Sequence, residues 1–270
     1  MAKRGLLLHP SDVQSIKTPL FDPPSAEFIA ETKRQSFFGH LIMLPMCGFI
    51  WILIRYWGRY RIEGLKELRR QYKVIVKNNY PLIICANHLT FIDSMLIIWA
   101  LGSNWWYFWN YRYFSWNLPA GEVFKKKFYF RYVFYWGKCI FIHRDGSKEH
   151  KDEVISMAHD LVKQGQVLTV FPEGRRSRTG RFEVDHITLG VGKIIQTLGE
   201  CYVLCLYLRG DKQAGHSNYP PRGSVFRPLI KLIKVKADEN NRRAYVEISN
   251  EISKNIQELE NHYFQGEPQL

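Results

Sequence analysis

Short apolar runs alternate with longer amphipathic stretches from about residue 62 onward. Apolar runs bounded by polar or turn-forming residues are typical of buried strands, and apolar residues three and four apart are typical of helices. The runs predict strands at Lys73–Lys77, Leu82–Ala86, Cys139–His143, Val167–Phe171, Tyr202–Leu208, Leu229–Val235 and Ala244–Ile248. The longer stretches predict helices at Ile92–Leu101, Lys148–Lys163, His186–Leu198 and Glu251–Tyr263, the last with one apolar face. This alternation indicates an α/β domain with a mainly parallel or mixed central sheet flanked by helices.

A separate apolar segment, Phe37–Ile54, precedes this alternation. Its eighteen residues, at a helical rise of about 1.5 Å each, just reach across a hydrocarbon core. Basic residues flank both ends, whereas a full crossing usually leaves its Lys/Arg excess on one side. We therefore expect a membrane-associated helical segment that dips into one leaflet, with a buried core helix as the alternative. The expected division is an arm and membrane segment over residues 1–61 and a globular domain over residues 62–270.

The composition is basic, with 38 Lys and Arg against 25 Asp and Glu and a formal net charge of +13. Such an excess suits nucleic acid, an anionic lipid surface or a phosphorylated substrate. Seventeen aromatic residues lie within residues 105–136, interleaved with Lys and Arg. Bilayer interfaces favour this combination, so a membrane contact is expected there. An aromatic core with a solvated basic face is the alternative.

The cysteines show no spacing typical of a metal site, and most of the five lie in apolar runs. Cysteine in such runs is usually a small buried hydrophobe. We therefore expect reduced thiols and a domain that faces the cytosol. The start of the chain does not resemble a signal peptide, because the basic Met1–Arg4 is followed by too short an apolar run.

Asn87 and His88 directly follow the predicted strand Leu82–Ala86, at the strand end where α/β sheets bind ligands. The stretch from Thr90 to Asp93 has the form of a capping box, which predicts a helix that begins at Thr90. With His88 in the preceding turn, its imidazole can fold back onto the Asp93 carboxylate, which would fix the tautomer and stabilise an imidazolium. A plain helix cap and a satisfied turn histidine are the alternatives.

A covalent route is less consistent with the sequence than direct base catalysis. No Gly-x-Ser-x-Gly elbow is present, and Cys85 lies inside the predicted strand. No further His or Cys has a spacing suited to a metal. His88 is therefore expected to act directly on a substrate hydroxyl.

A second polar cluster follows the predicted strand Val167–Phe171, where Pro172 leads into a loop with four arginines in residues 175–181. Guanidinium groups bind phosphate bidentately. Glu173 can hold these arginines in position or bond a substrate hydroxyl. Arg144 ends another predicted strand, at the sheet edge where the clusters would meet. The alternative is a solvated basic loop, or one that binds RNA or lipid headgroups without chemistry.

The His88–Asp93 spacing and the Phe-Pro-Glu-Gly run together resemble the glycerolipid (lysophospholipid) acyltransferase family over roughly residues 64–235. The resemblance implies a compact acyltransferase domain in which His88 and Asp93 are catalytic. It implies no metal and no cofactor. It also implies acceptor binding by the second cluster and its neighbours, namely Arg144, Glu173, Gly174, Arg176 and Arg178.

The expected reaction moves a fatty acyl group from an acyl carrier protein or coenzyme A thioester to 1-acyl-sn-glycerol 3-phosphate, forming phosphatidic acid. The expected partners are the bilayer, the thioester carrier and a lysophospholipid acceptor, without nucleic acid, at the cytoplasmic face of a membrane. The chain departs from the family pattern on the acceptor side: Arg175 replaces a common threonine, no lysine precedes Gly190, and Val203–Tyr207 lacks proline. The same chemistry on a lyso-ornithine lipid or another lysophospholipid therefore stays open, as does a non-enzymatic module that binds membrane or nucleic acid.

Overall fold

The computed structural model describes residues 26–121, 134–143, 145–237 and 242–266. Its helices are α1 (Ala26–Ile52), α2 (Leu65–Lys77), α3 (Asp93–Leu101), α4 (Asn104–Trp109), α5 (Lys148–Lys163), α6 (Gly190–Leu198) and α7 (Arg242–Gln265). Its strands are β1 (Arg61–Ile62), β2 (Leu82–Ala86), β3 (Trp116–Asn117), β4 (Val167–Val170), β5 (Glu200–Tyr207), β6 (Val225–Phe226) and β7 (Leu229–Lys236). A π-helical turn, Leu53–Trp57, continues α1.

Within the described residues, five strands form a sheet in the order β3-β4-β2-β5-β7. The first four run parallel and β7 pairs antiparallel with β5. The central strands β2 and β4 are buried at every position, because helices cover both faces of a parallel sheet. One face packs on α5, α6 and α7, and the other on α1 to α4. The predicted α/β fold with a mixed sheet is confirmed.

The prediction of a strand at Lys73–Lys77 is wrong, because these residues form the last turns of α2. Leu68, Tyr72 and Val76 are buried at four-residue spacing, whereas Val74 is exposed. A strand would have put Val74 and Val76 on the same face. The short β-branched run favours a strand locally, but the helical period over thirteen residues determines the structure.

The prediction of a strand at Ala244–Ile248 is also wrong, because α7 begins at Arg242 and includes this stretch. Ile248 continues the buried stripe formed by Ile252, Ile256 and Leu259.

Two other predicted elements differ in extent from the observed ones. Cys139–His143 makes only isolated parallel bridges beside β3, and α6 begins at Gly190, after a 3-10 turn at Val184–His186.

Helix α1 contains most of the predicted apolar segment and packs one face on the domain. Gln35 donates to the carbonyls of Tyr135 (2.5 Å) and Cys139 (2.9 Å), and Met43 and Cys47 are buried below it. The other face is open, with Phe37, Leu41 and Phe49 more than 60% exposed. Residues 29–57 are long and apolar enough to cross a membrane. This exposure argues against a core helix, since core helices bury their large apolar side chains.

Candidate active site

His88 lies two residues beyond the end of β2, in the turn before α3. Its Nδ1 is 3.0 Å from Oδ2 of Asp93, the first residue of α3. The Asp93 oxygens accept hydrogen bonds, so in the neutral imidazole the matching tautomer donates through Nδ1–H and keeps the lone pair on Nε2. The ring of Phe171 stacks on the imidazole with centroids 4.2 Å apart. His88 is therefore oriented with Nε2 as its basic nitrogen.

The Asp93 carboxylate organises the whole turn in which His88 lies. Its Oδ2 also accepts from the backbone N–H groups of Leu89 (2.6 Å) and Thr90 (2.7 Å), and its Oδ1 accepts from the Thr90 hydroxyl. Asp93 is 6% exposed. The helix does not begin at Thr90 as predicted, because the Thr90 hydroxyl donates to Asp93 and the helix begins at Asp93 itself. Asp93 thus combines the contact with His88 and the contacts that fold the loop.

Glu173 joins this turn to the Phe-Pro-Glu-Gly loop. Its Oε2 accepts from the backbone N–H of His88 (2.7 Å), and its Oε1 accepts from that of Glu183 (3.1 Å). The backbone N–H of Ser177 in turn donates to the His88 carbonyl (2.8 Å). Burial raises the pKa of Glu173 to about 8, although these two backbone donors lower it. Both carboxylate oxygens are engaged with the backbone, so the geometry gives Glu173 a positioning role.

Gly174 lies in a turn that only glycine fits. Its φ is +61°, a left-handed conformation that side chains rarely adopt, and a Cβ there would overlap Cγ2 of Thr188. Thr188 cannot easily retreat, because its backbone N–H (2.7 Å) and hydroxyl (2.9 Å) both donate to the Pro172 carbonyl. Gly174 lines the same cavity as His88.

Glu183, which the sequence analysis did not identify, holds the arginine loop in shape. It accepts from the backbone N–H groups of Arg178 (2.7 Å) and Thr179 (3.1 Å) and from Nη2 of Arg175 (3.1 Å). Desolvation raises the pKa of Glu183, but these donors outweigh it and lower the pKa to about 2. An acidic residue two positions after the last of four arginines was the available signal in the sequence.

Asn218, in the loop after β5, was also missed. Its side-chain oxygen accepts from Nη1 of Arg176 (2.6 Å), and its carbonyl accepts from the backbone N–H of Phe91 (2.9 Å). It thereby links Arg176 to the turn that carries His88.

Of the other predicted binding residues, Arg178 is exposed at the rim of the cavity described next, and Arg144 lies outside the described residues.

A cavity of about 980 Å³ brings these groups together. Its wall includes cationic side chains, apolar side chains of α1 and α3, and His88. The cationic residues are Lys151, Arg175, Arg176, Arg178 and Lys193; the apolar ones include Met46, Ile50, Met95 and Ile98. Among the described residues, no group of three or more His, Cys, Asp and Glu side chains is arranged to hold a metal. The cavity suits a ligand with an anionic head and a hydrocarbon chain.

Comparison with known proteins is consistent with this arrangement. The family model described as Acyltransferase matches residues 59–209, which is more than half of the chain. A protein named "Taffazin" from Dictyostelium discoideum is 26% identical over 154 residues, covering 56% of this chain and 51% of that protein. The chain thus matches about half the length of this relative. Both motifs, His88–Asp93 and Phe171–Gly174, lie inside the family match.

The raised pKa of Glu173 predicts a specific dependence of stability on pH. Because the pKa rises from 4.5 to about 8 on folding, the folded state holds this proton more tightly than the unfolded chain. The resulting stability is fully present below about pH 4.5 and is lost as the pH rises through about 8. We expect Glu173→Gln to reduce this decline, measured as the free energy of unfolding in denaturant at several pH values.

Glu251→Gln is the matched control, because Glu251 is exposed on α7. It should keep the wild-type slope of stability against pH. A Glu173→Gln variant with the wild-type slope would show that Glu173 does not titrate in this range.

Proposed function

This chain belongs to the Acyltransferase family, and we propose that it is a membrane-bound lyso-lipid O-acyltransferase. The proposed acceptor is 1-acyl-sn-glycerol 3-phosphate, which would yield phosphatidic acid, and the proposed donor is an acyl thioester of acyl carrier protein or coenzyme A. One observation carries the proposal: His88, which is paired with the buried Asp93, lies on the wall of a cavity that cationic and apolar side chains line together.

The proposed chemistry uses His88 as a general base. Its Nε2 takes the proton of the acceptor hydroxyl while that oxygen forms a bond to the thioester carbonyl carbon. The tetrahedral intermediate then breaks its C–S bond, and the thiolate leaves with the proton returned by the imidazolium. Asp93, 3.0 Å from Nδ1, balances the imidazolium charge during this sequence.

The proposed acceptor phosphate binds between the arginines of the loop. Arg176 bonds an amide oxygen and not a carboxylate, so its charge is available to an anion. Arg175 uses Nη2 on Glu183, while its buried Nε–H has no partner among the described residues. Arg178 supplies a further cation at the rim. Charge-assisted bonds of this kind suit phosphate better than a neutral headgroup.

We further propose that α1 lies in one leaflet and does not cross the membrane. Besides its packed face, the turn that follows it is tied to the same domain, because Arg222 Nε donates to the Trp57 carbonyl (2.8 Å). Because α1 is attached to the domain along its packed face and again just after its end, we expect it to lie alongside the domain. Beside it, α4 exposes Trp105 and Trp109, and amphipathic aromatics of this kind favour the bilayer interface.

We assign the domain to the cytoplasmic face, with residues 1–61 as the membrane-associated unit and residues 62–270 as the acyltransferase domain. The cysteines support this side, since those of the described residues are free thiols and disulfides are rare in the cytosol. Met46, Ile50 and Trp51 of α1 line the cavity, and Trp51 is also exposed on the helix surface. The proposed path of a lipid chain from the leaflet into the site runs past these side chains.

We expect His88→Ala to slow acyl transfer about 10²–10⁴-fold, because the base is lost. The turn should stay folded, since Asp93 keeps its bonds to the backbone of Leu89 and Thr90. The measurement is transfer of a labelled acyl group from each thioester to several lyso-lipids, with thermal unfolding as a check on the fold. His186→Ala, an exposed histidine away from the cavity, should keep the wild-type rate.

Retention of more than about a tenth of wild-type turnover by His88→Ala contradicts the base assignment. Wild-type protein that transfers no acyl group, yet binds anionic vesicles or RNA in a strongly salt-dependent way, would instead be a basic binding module.

We expect Arg176→Ala to raise the acceptor KM about tenfold and to leave the donor KM nearly unchanged, because a charge-assisted contact is lost only from the acceptor. Arg176→Lys should restore part of the affinity, since lysine lacks the bidentate fork. Steady-state kinetics with each substrate varied separately make the measurement. Arg181→Ala is the control, because Arg181 lies over the Phe264 ring outside the cavity. A rise confined to the donor KM would show that the loop binds the carrier.

We expect Phe49→Asp to weaken binding to anionic phospholipid vesicles, because a charge in the apolar face of α1 opposes insertion. Val74→Asp is the matched control, because Val74 is 56% exposed and Phe49 is 62% exposed, but Val74 lies on α2 and not on α1. Flotation with vesicles should separate the two variants, with Val74→Asp floating like the wild type. Equal flotation of Phe49→Asp and wild type would mean that α1 does not enter the bilayer.

A further inference from the structure

Three buried side-chain oxygens near the β3 edge of the sheet have no hydrogen-bond partner among the described residues. They are Oγ of Ser115, Oδ1 of Asn117 and Oγ1 of Thr169. Asn117 is 6% exposed and Thr169 is 1% exposed. Folded proteins pair nearly all of their buried polar atoms, so a local group of unpaired oxygens calls for a partner.

Two of the three residues line the active-site cavity. Asn117 and Thr169 are register partners on β3 and β4, which places their side chains on the same face of the sheet, and both belong to the cavity wall. Ser115 does not line the cavity. Asn117 uses Nδ2 to donate to the Ser115 carbonyl (3.2 Å), so its unpaired oxygen is the other end of the amide.

The pair lies on the same face of the sheet as Phe171. Thr169 precedes Phe171 by two residues, so both side chains point to the same face about 7 Å apart. Phe171 is the ring that stacks on His88. The helices opposite contribute apolar side chains to the wall, among them Met95 and Ile98. A plain alkyl chain would form no hydrogen bond with these two oxygens, so their presence in an apolar wall favours a ligand chain that carries a polar group.

We propose that Asn117 and Thr169 form a subsite for a hydroxyl group carried on a hydrocarbon chain. Both oxygens lie beneath the cavity surface, so the two side chains rotate toward the cavity when the ligand binds. The chain hydroxyl then donates to Oδ1 of Asn117 and accepts from the Thr169 hydroxyl, which gives both oxygens a hydrogen-bond partner. The inference rests on the proposed function, because that function places a lipid chain in this cavity. The hydroxyl belongs either to the acyl group of the donor thioester or to the chain already present on the lyso-lipid acceptor.

Competition between paired substrates tests the subsite and separates the two sources. In one arm, wild-type protein receives equal amounts of plain and hydroxylated acyl thioesters of one chain length, with the hydroxyl at successive carbons and a plain acceptor. In the other arm, the donor is plain and the acceptor chain carries the hydroxyl. We expect a preference of about fivefold to tenfold in kcat/KM for one hydroxyl position in one arm, the size of one or two net hydrogen bonds.

Variants of the two residues connect the preference to the subsite. Thr169→Val and Asn117→Leu should lower the ratio of hydroxylated to plain kcat/KM close to one. Thr169→Ser should retain it, because the hydroxyl is kept. Ser115→Ala is the matched control: its oxygen is equally buried and unpaired but lies outside the cavity, so the ratio should not change.

Two results would overturn the inference alone. One is a wild-type protein that transfers plain chains and shows no hydroxyl preference in either arm, which would mean that water satisfies the pair. The other is a ratio that falls as far in Ser115→Ala as in Thr169→Val, which would mean a general effect on the sheet edge. Absence of transfer with every donor and acceptor would overturn the proposed function as well.

Discussion

The site depends on one buried carboxyl group, that of Glu173, which two loops share. Glu173 accepts from the backbone of His88 at 2.7 Å and from the backbone of Glu183 at 3.1 Å. Neither N–H group has a place in a helix or strand ladder, and a buried peptide donor must find an acceptor. The carboxyl group accepts from both, and so it fixes the distance between the histidine turn and the arginine loop. Removing the side chain would leave two partly buried donors without this acceptor and free the loops to separate.

Asp93 and Glu183 act in the same way as Glu173, Asp93 in the histidine turn and Glu183 in the arginine loop. Each side chain accepts hydrogen bonds from backbone N–H groups of one loop, and it also contacts one further side chain: His88 for Asp93 and Arg175 for Glu183. The acidic residues of the site are thereby engaged in folding the loops. Other cations of the cavity, such as Lys151 and Arg176, have no carboxylate partner among the described residues. The loops around His88 are therefore held in place by hydrogen bonds while the cavity stays electropositive toward a ligand, an arrangement suited to the proposed anionic lipid acceptor.

The spacing of apolar and polar residues was sufficient to predict those elements that contacts between nearby residues determine. Lys148–Lys163 and Leu82–Ala86 were predicted with their observed bounds, and the spacing of His88 and Asp93 predicted their contact. The errors have a shared cause: β-branched runs at Val74 and in α7 favour strands over a few residues, while helices are decided over several turns. Nothing local indicates that Glu173 binds the backbone 85 residues away. Asn218 is hidden for the same reason, because its role depends on a tertiary contact with Arg176.

Asp93 is proposed to act through His88 so that the two residues form one catalytic unit, and a double-mutant cycle distinguishes this from two independent contributions. Acyl transfer would be measured under single-turnover conditions for His88→Ala, Asp93→Asn and the double variant, each checked for folding. We expect the double variant to be no slower than His88→Ala alone, because Asp93 then has no imidazole to orient or balance. A double variant slowed by the product of the two single effects would show that the two residues contribute independently and do not act as one unit.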